Sequence, residues 1–201
     1  MYSWKTVLVT IALLFGLKVW SPYIVENMQW SYFDTLHQLQ EEVIVDDIIL
    51  VDIDEKSLDA FGQYPIKRGI YRDLLLNTHF SNTHVFTILF GQPDRDPTQD
   101  AIFAEGLVNR LSILAAAPTI QKDTGSAPFV GNSTLGNGKA QDHLWNFSGI
   151  ASPIRMLQDN TYGVGVTVAT PSVSGTANFD GTTRSIPLLV TANNQVYPSL
   201  A

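Results

Sequence analysis

The chain has no cysteine, which excludes disulfides, zinc–thiolate centres and thiol catalysis. Positive charge is scarce and dispersed. Twelve Lys and Arg stand against nineteen Asp and Glu for a net charge of −7, and Lys67–Arg68 is the one adjacent basic pair. A phosphate-backbone partner needs clustered cations, so no nucleic-acid partner is expected. No G-x-G-x-x-G or Walker sequence is present, and Gly163 and Gly165 stand among valines without forming a phosphate loop. No Ser/His/Asp set can be assigned from spacing, and Ser57 carries no mark of a nucleophile. The four histidines, His37, His79, His84 and His143, show no metal-ligand spacing. No metal and no cofactor are expected. What remains is 45% apolar and 15% charged, enough to build a core and too apolar for intrinsic disorder.

One long apolar run lies at the start. Thr6 to Leu17 is uncharged between Lys5 and Lys18, and reading on to Val25 gives the roughly twenty residues that a spanning helix needs. Lys18 can snorkel, and Trp4, Trp20 and Tyr23 suit interfacial belts. A cleaved signal peptide has an apolar core of comparable length, but no small-x-small site follows. Residues 1–25 are therefore expected to be a membrane anchor with a cytoplasmic N terminus, and 26–201 the exported domain.

The rest reads as one α/β domain. Glu26 to Glu42 spaces Met28, Trp30, Tyr32, Phe33, Leu36 and Leu39 by about three or four, an amphipathic helix. Val43 to Ile53 is dominated by β-branched residues and predicts a strand, buried on both faces over Ile48–Ile53. Glu55 to Phe61 predicts a short helix with Asp54 as N-cap and Gly62 as its stop. Helices over Ile70–Phe80 and Thr98–Asn109 alternate with strands over Val85–Phe90 and Leu111–Ala117, the last ended by Pro118. This is a parallel βαβαβ half. Gln121 to Asn146, rich in Gly, Ser, Thr and Asn, predicts a long surface excursion. Short strands at Val164–Ala169, Ser185–Thr191 and Gln195–Tyr197, the last two forming a hairpin, add an antiparallel extension. The expected fold class is α/β with a mixed sheet.

Two charged clusters carry the functional options. Asp52 and Asp54 follow the first predicted strand, at the carboxyl edge where open α/β sheets bind ligands. The same Asp-x-Asp opens haloacid-dehalogenase-type phosphatases, so a magnesium-dependent phosphatase is one reading. Thr87 inside the second strand, and the lack of a later paired carboxylate, count against it. Lys67 and Arg68 precede a helix start, where an arginine can hold an anion or pair with Asp52 or Asp54 to fix the turn. Asp180-Gly181-Thr182-Thr183-Arg184 reads as a tight turn closed by Arg184. An anchored assembly module docking through Gln121–Asn146 is a third option.

Taken in order, these segments resemble the type-two CHASE domain, a sensory module of bacterial cyclases and histidine kinases. The resemblance rests on Tyr32–Phe33–Asp34, IILVDIDEKSLDAFGQYPIKRGIYRDLL, VFTILFGQPD, DAIFAEGL, FDGTTRSIPLLV and the closing YPSLA. The family usually has an aspartate where this chain has Thr87, and tryptophan around the turn that here carries Tyr64 and Ile66. The resemblance implies an extracytoplasmic sensor at the bacterial inner membrane. It would bind an unidentified ligand and relay to a cyclase or kinase beyond these residues, with the Glu26–Glu42 helix as lever. Sensors of this kind often work as dimers, so a second copy is an expected partner. Asp52, Asp54, Lys67 and Arg68 are the expected ligand contacts; Asp180, Gly181 and Arg184 are the expected structural turn.

Overall fold

In a computed structural model, the described residues are 4–20, 22–41, 47–119, 144–168, 186–193 and 195–200. The chain divides into two units, Met1–Asp52 and Ile53–Ala201. In the first, helix α1 runs over Trp4–Trp20 and helix α2 over Pro22–Gln38. Trp30, Phe33 and His37 stack along α2 at the expected helical spacing, with ring centroids 6.0 and 4.5 Å apart. The expected span to Val25 takes in α1 and the start of α2, and Ser21 between them lies outside the described residues. Among the described residues no helix is long and apolar enough to cross a membrane.

The first predicted strand is also corrected. Residues 47–54 belong to no strand, and Ile48, Ile49, Leu50 and Val51 are exposed; residues 43–46 lie outside the described set. β-Branched composition is a preference for a pleated, half-buried surface, not a backbone state in itself. The parallel pattern begins one strand later.

In the second unit, helix α3 (Glu55–Phe61) and helix α4 (Arg68–Asn77) lead into strand β1 (His84–Phe86). Helix α5 (Pro97–Leu107) then carries the chain to strand β2 (Ser112–Thr119). β1 and β2 pair in parallel, so β1–α5–β2 is a βαβ unit. Strands β3 (Trp145–Phe147) and β4 (Gly149–Ala151), the short helix α6 (Arg155–Gln158) and strand β5 (Gly163–Val166) follow. β5 lies parallel to β2, giving three parallel strands, while β4 runs antiparallel to the end of β2. Pro118 does not end β2: it sits inside the strand, opposite Ile150 of β4. Likewise the expected excursion ends early, since Trp145 and Asn146 belong to β3; its residues 121–143 lie outside the described set. Strands β6 (Leu189–Ala192) and β7 (Gln195–Pro198) form the expected hairpin, with Ala192 opposite Gln195 and Asn193 at φ +50°. They join β3 in a second sheet.

Two clusters fill the unit. Tyr71, Leu75, Phe86, Phe90, Phe103, Leu107, Leu114 and Leu157 form the first, where the rings of Tyr71, Phe86, Phe90 and Phe103 meet edge-on or tilted at 5.1–6.2 Å. Such pairs add roughly 0.5–1.5 kcal/mol each beyond area burial. Val164, Val166, Val190, Ala192 and Tyr197 centre the second. The closing segment lies directly on β5: a Cβ added at Gly165 would stand 2.8 Å from Leu200 Cα, whereas one at Gly163 meets nothing within 4 Å. Gly165→Ala is therefore expected to cost about 1–3 kcal/mol through overpacking, and Gly163→Ala less than about 0.5 kcal/mol. Urea unfolding of the two variants side by side checks the contrast, and equal midpoints would refute it.

Candidate functional site

An open cleft of about 1100 Å³ lies at the carboxyl end of the parallel strands. The segment after β1, from Ile88 to Asp96, forms one wall, and Phe61 to Arg68 with Tyr71 forms another. Pro118 and Thr119 at the end of β2, with Ala151 and Ser152, complete the lining. This is the sheet edge at which α/β folds bind ligands. The surface is mainly apolar, with a few polar groups converging on it, as small-molecule sites are built.

Arg68 organises the mouth. It is 7% exposed, and its Nη1 donates to the buried Asp100 of α5 while its Nη2 donates to the Gln92 carbonyl. The guanidinium also lies 5.4 Å from the Phe90 ring centroid, a stacking contact that suits arginine and not lysine. Asp100 in turn accepts the Asp94 N–H, at 3.1 Å to Oδ2. Asp94 then accepts the Asp96 N–H at 3.1 Å and the Arg68 N–H at 3.4 Å. Gln99 accepts the Gly69 N–H at 3.0 Å. One continuous network thus ties the N-terminus of α4 to that of α5 and shapes the wall between them.

Asp54 and Asp96 are helix caps. Asp54 accepts the Ser57 N–H at 2.9 Å and its hydroxyl at 2.8 Å; the backbone bond and then the hydroxyl hold its carboxyl below the usual range. Asp96 accepts the Thr98 hydroxyl at 2.7 Å and N–H at 3.0 Å, with the same effect on its carboxyl. The expected α3 therefore stands as read, with Asp54 before it and Gly62 at φ +94° after it.

Of the residues expected to contact a ligand, the cleft gathers Lys67 and Arg68; Asp52 and Asp54 do not line it. Arg68's ion-pair partner is Asp100, 32 residues on, and not an aspartate of the 52–54 stretch. Asp180, Gly181 and Arg184 lie outside the described residues. Thr87 follows β1 on the surface instead of standing within the strand. Tyr64 and Ile66, the turn residues that replace the family's usual tryptophan, both line the cleft. The phosphatase reading loses its premise, because no strand delivers Asp52 and Asp54 to a sheet edge. Among the described residues there is also no group of three or more His, Asp or Glu suited to a metal.

Sequence reasoning missed Tyr71, Phe90, Asp100 and Ser152. Asp96-Pro97 was a readable helix start, cap then N1 proline, and would have placed Asp100 in the first turn of α5. Ser152 left no such signal.

The CHASE2 domain family matches residues 6–201. The chain belongs to the CHASE2 family. CHASE2 domains are extracellular sensory domains, and the resemblance read from the ordered motifs is thereby established. No curated protein and no solved structure matches the chain.

Removing one partner from a buried ion pair leaves an uncompensated charge, typically at about 3–5 kcal/mol. Asp100→Ala and Arg68→Ala should each lower stability by that order in denaturant unfolding, whereas Arg68→Met with Asp100→Leu should recover much of the loss. A single variant at wild-type stability would contradict the network. Burial, reinforced by Tyr64 and opposed by Arg68, pushes the Tyr71 hydroxyl up to about 12. A phenol raised in the fold contributes fully below the unfolded value near 10 and loses that contribution as pH rises from there towards 12. The difference in phenolate absorbance between wild type and Tyr71→Phe should thus titrate well above 10; a midpoint near 10 would refute it.

Proposed function

We propose that this CHASE2 domain is the extracytoplasmic input of a bacterial signalling receptor and that the cleft at the carboxyl end of β1 and β2 is its ligand site. The observation that carries the reading is the cleft itself: a mostly apolar hollow on the ligand-binding edge of the sheet, with both flanking helix starts held by a buried ion pair. Lys67 presents its side chain at the mouth, and Arg68 keeps the wall in shape from behind. Signalling requires two conformations of different ligand affinity. The wall from Gln92 to Asp96 is the element suited to bias them, since the Gln92 carbonyl and the Asp94 N–H and carboxylate close onto Arg68 and Asp100. Relay to a cyclase or kinase output belongs to the same proposal and rests on the family's sensory role.

A ligand present at a hundred times its Kd stabilises the folded state by about 2.7 kcal/mol, a Tm rise of roughly 5–10 °C at this size. Thermal screening of the chain against a mixed panel of small organic molecules should yield such shifts. Leu89→Trp, which crowds the cleft from its own lining, should abolish them while keeping the ligand-free Tm near wild type. Shifts that survive in Leu89→Trp, or none across the panel, would refute the site.

A further inference from the structure

The floor of the cleft holds a polar atom that the fold does not use. Ser152 is 6% exposed, lines the cleft, and its Oγ has no hydrogen-bond partner among the described residues. Buried hydroxyls are nearly always satisfied, and one left alone costs stability. Nor is its position accidental to a loose loop. The next residue's carbonyl, on Pro153, accepts from the fully buried Gln158 Nε2 at 2.6 Å. Ile154 N–H then donates to the Phe90 carbonyl at 2.9 Å. Before Ser152, Ala151 pairs with Ala117 of β2, so the segment is pinned on both sides and the hydroxyl is held ready in a cavity wall.

The mouth has a complementary character. Both helix starts, of α4 and α5, open onto it with their positive ends. The carboxylates there are occupied: Asp94 accepts two backbone N–H groups, and Asp96 accepts from Thr98. Arg68 is spent on Asp100 and Gln92. Lys67 and Arg95 are different. Their side chains line the cleft, are exposed, and make no hydrogen bond or ion pair among the described residues; Lys67 acts on Asp96 through its charge alone. Between mouth and floor the walls are Tyr64, Ile66, Tyr71, Ile88 and Phe90.

We propose that the cleft takes a small organic monoanion with a flat apolar body: its acid group at Lys67 and Arg95, its ring among Tyr64, Ile66 and Phe90, and a neutral hydroxyl or carbonyl on Ser152 Oγ. This rests on the sensor reading above and names the ligand class for that site. Hydrogen bonding between a buried hydroxyl and a ligand group is the kind of contact that discriminates, because the analogue lacking the group leaves the site's own atom unpaired.

Isothermal titration of the full chain with three probes tests it: 3-(4-hydroxyphenyl)propionate, the same acid without its ring hydroxyl, and the amide of the hydroxylated acid. The hydroxylated acid should bind most tightly, and each of the other two should be weaker by about fivefold or more, the worth of one hydrogen bond. In Ser152→Ala the hydroxyl should no longer matter; in the Lys67→Gln, Arg95→Gln double variant the acid and the amide should bind alike. Ser152→Ala should also unfold no earlier than wild type, because it removes an unpaired atom. A loss of stability there would show the hydroxyl already bonded in the fold and overturn its assignment. Equal binding of acid and amide by wild type, abolished in Leu89→Trp, would overturn the anion while leaving the cleft as the site. Failure of all three probes, beside panel compounds that do act through the cleft, would overturn the ligand class. Only the absence of any cleft-dependent compound would count against the sensor site itself.

Discussion

Taking a guanidinium and a carboxylate out of water is costly, and the cost is tolerated only where hydrogen bonds replace what water supplied. Arg68 and Asp100 meet that condition. The carboxylate is shared between the guanidinium and the Asp94 N–H, and the guanidinium between the carboxylate, the Gln92 carbonyl and the Phe90 ring. The pair therefore fixes more than two side chains. It sets the spacing of the two helix starts, the path of the chain between β1 and α5, and the aromatic cluster on which Arg68 rests. The cleft is the space left over by that arrangement.

Its geometry also explains why the residues of the mouth divide as they do. Acids there are drawn inward to cap helices and receive backbone N–H groups, and one arginine is consumed in the pair. The remaining cations face outward. A surface of net negative charge overall can in this way offer a local patch with the opposite preference, since local donors and helix ends outweigh distant screened charges.

The parts of the fold legible in the sequence were those with a local code. Asp54 and Ser57, three apart, and Gly62 delimit α3 to the residue, because a cap is a bond between near neighbours. The β6–β7 hairpin followed from the turn residues Ala192–Asn194 between two apolar runs, and the body of α2 from the spacing of Met28, Trp30, Phe33 and Leu36. What was not legible depended on distant partners. The Ile48–Val51 run has the composition of a buried strand, yet strand formation needs a ladder to join. Pro118 looked like a terminator but lies within β2. Arg68 was read against Asp52 and Asp54, whereas its partner stands on the next helix, α5, beyond strand β1. The ordered motif set identified the family where no single motif could, since each motif is common alone and their sequence is not.

Strand β2 passes through both hydrophobic clusters on one face: Leu114 belongs to the first and Ala116, two residues on, to the second. Side chains two apart on a strand share a side, so the two cores are consecutive stretches of a single ridge. Neither can lose its packing without stripping the same strand. The four-stranded and three-stranded sheets thus share the packing of one strand. Rigidity gained at the carboxyl end of β2 would accordingly be felt at the far sheet with no change of shape in between.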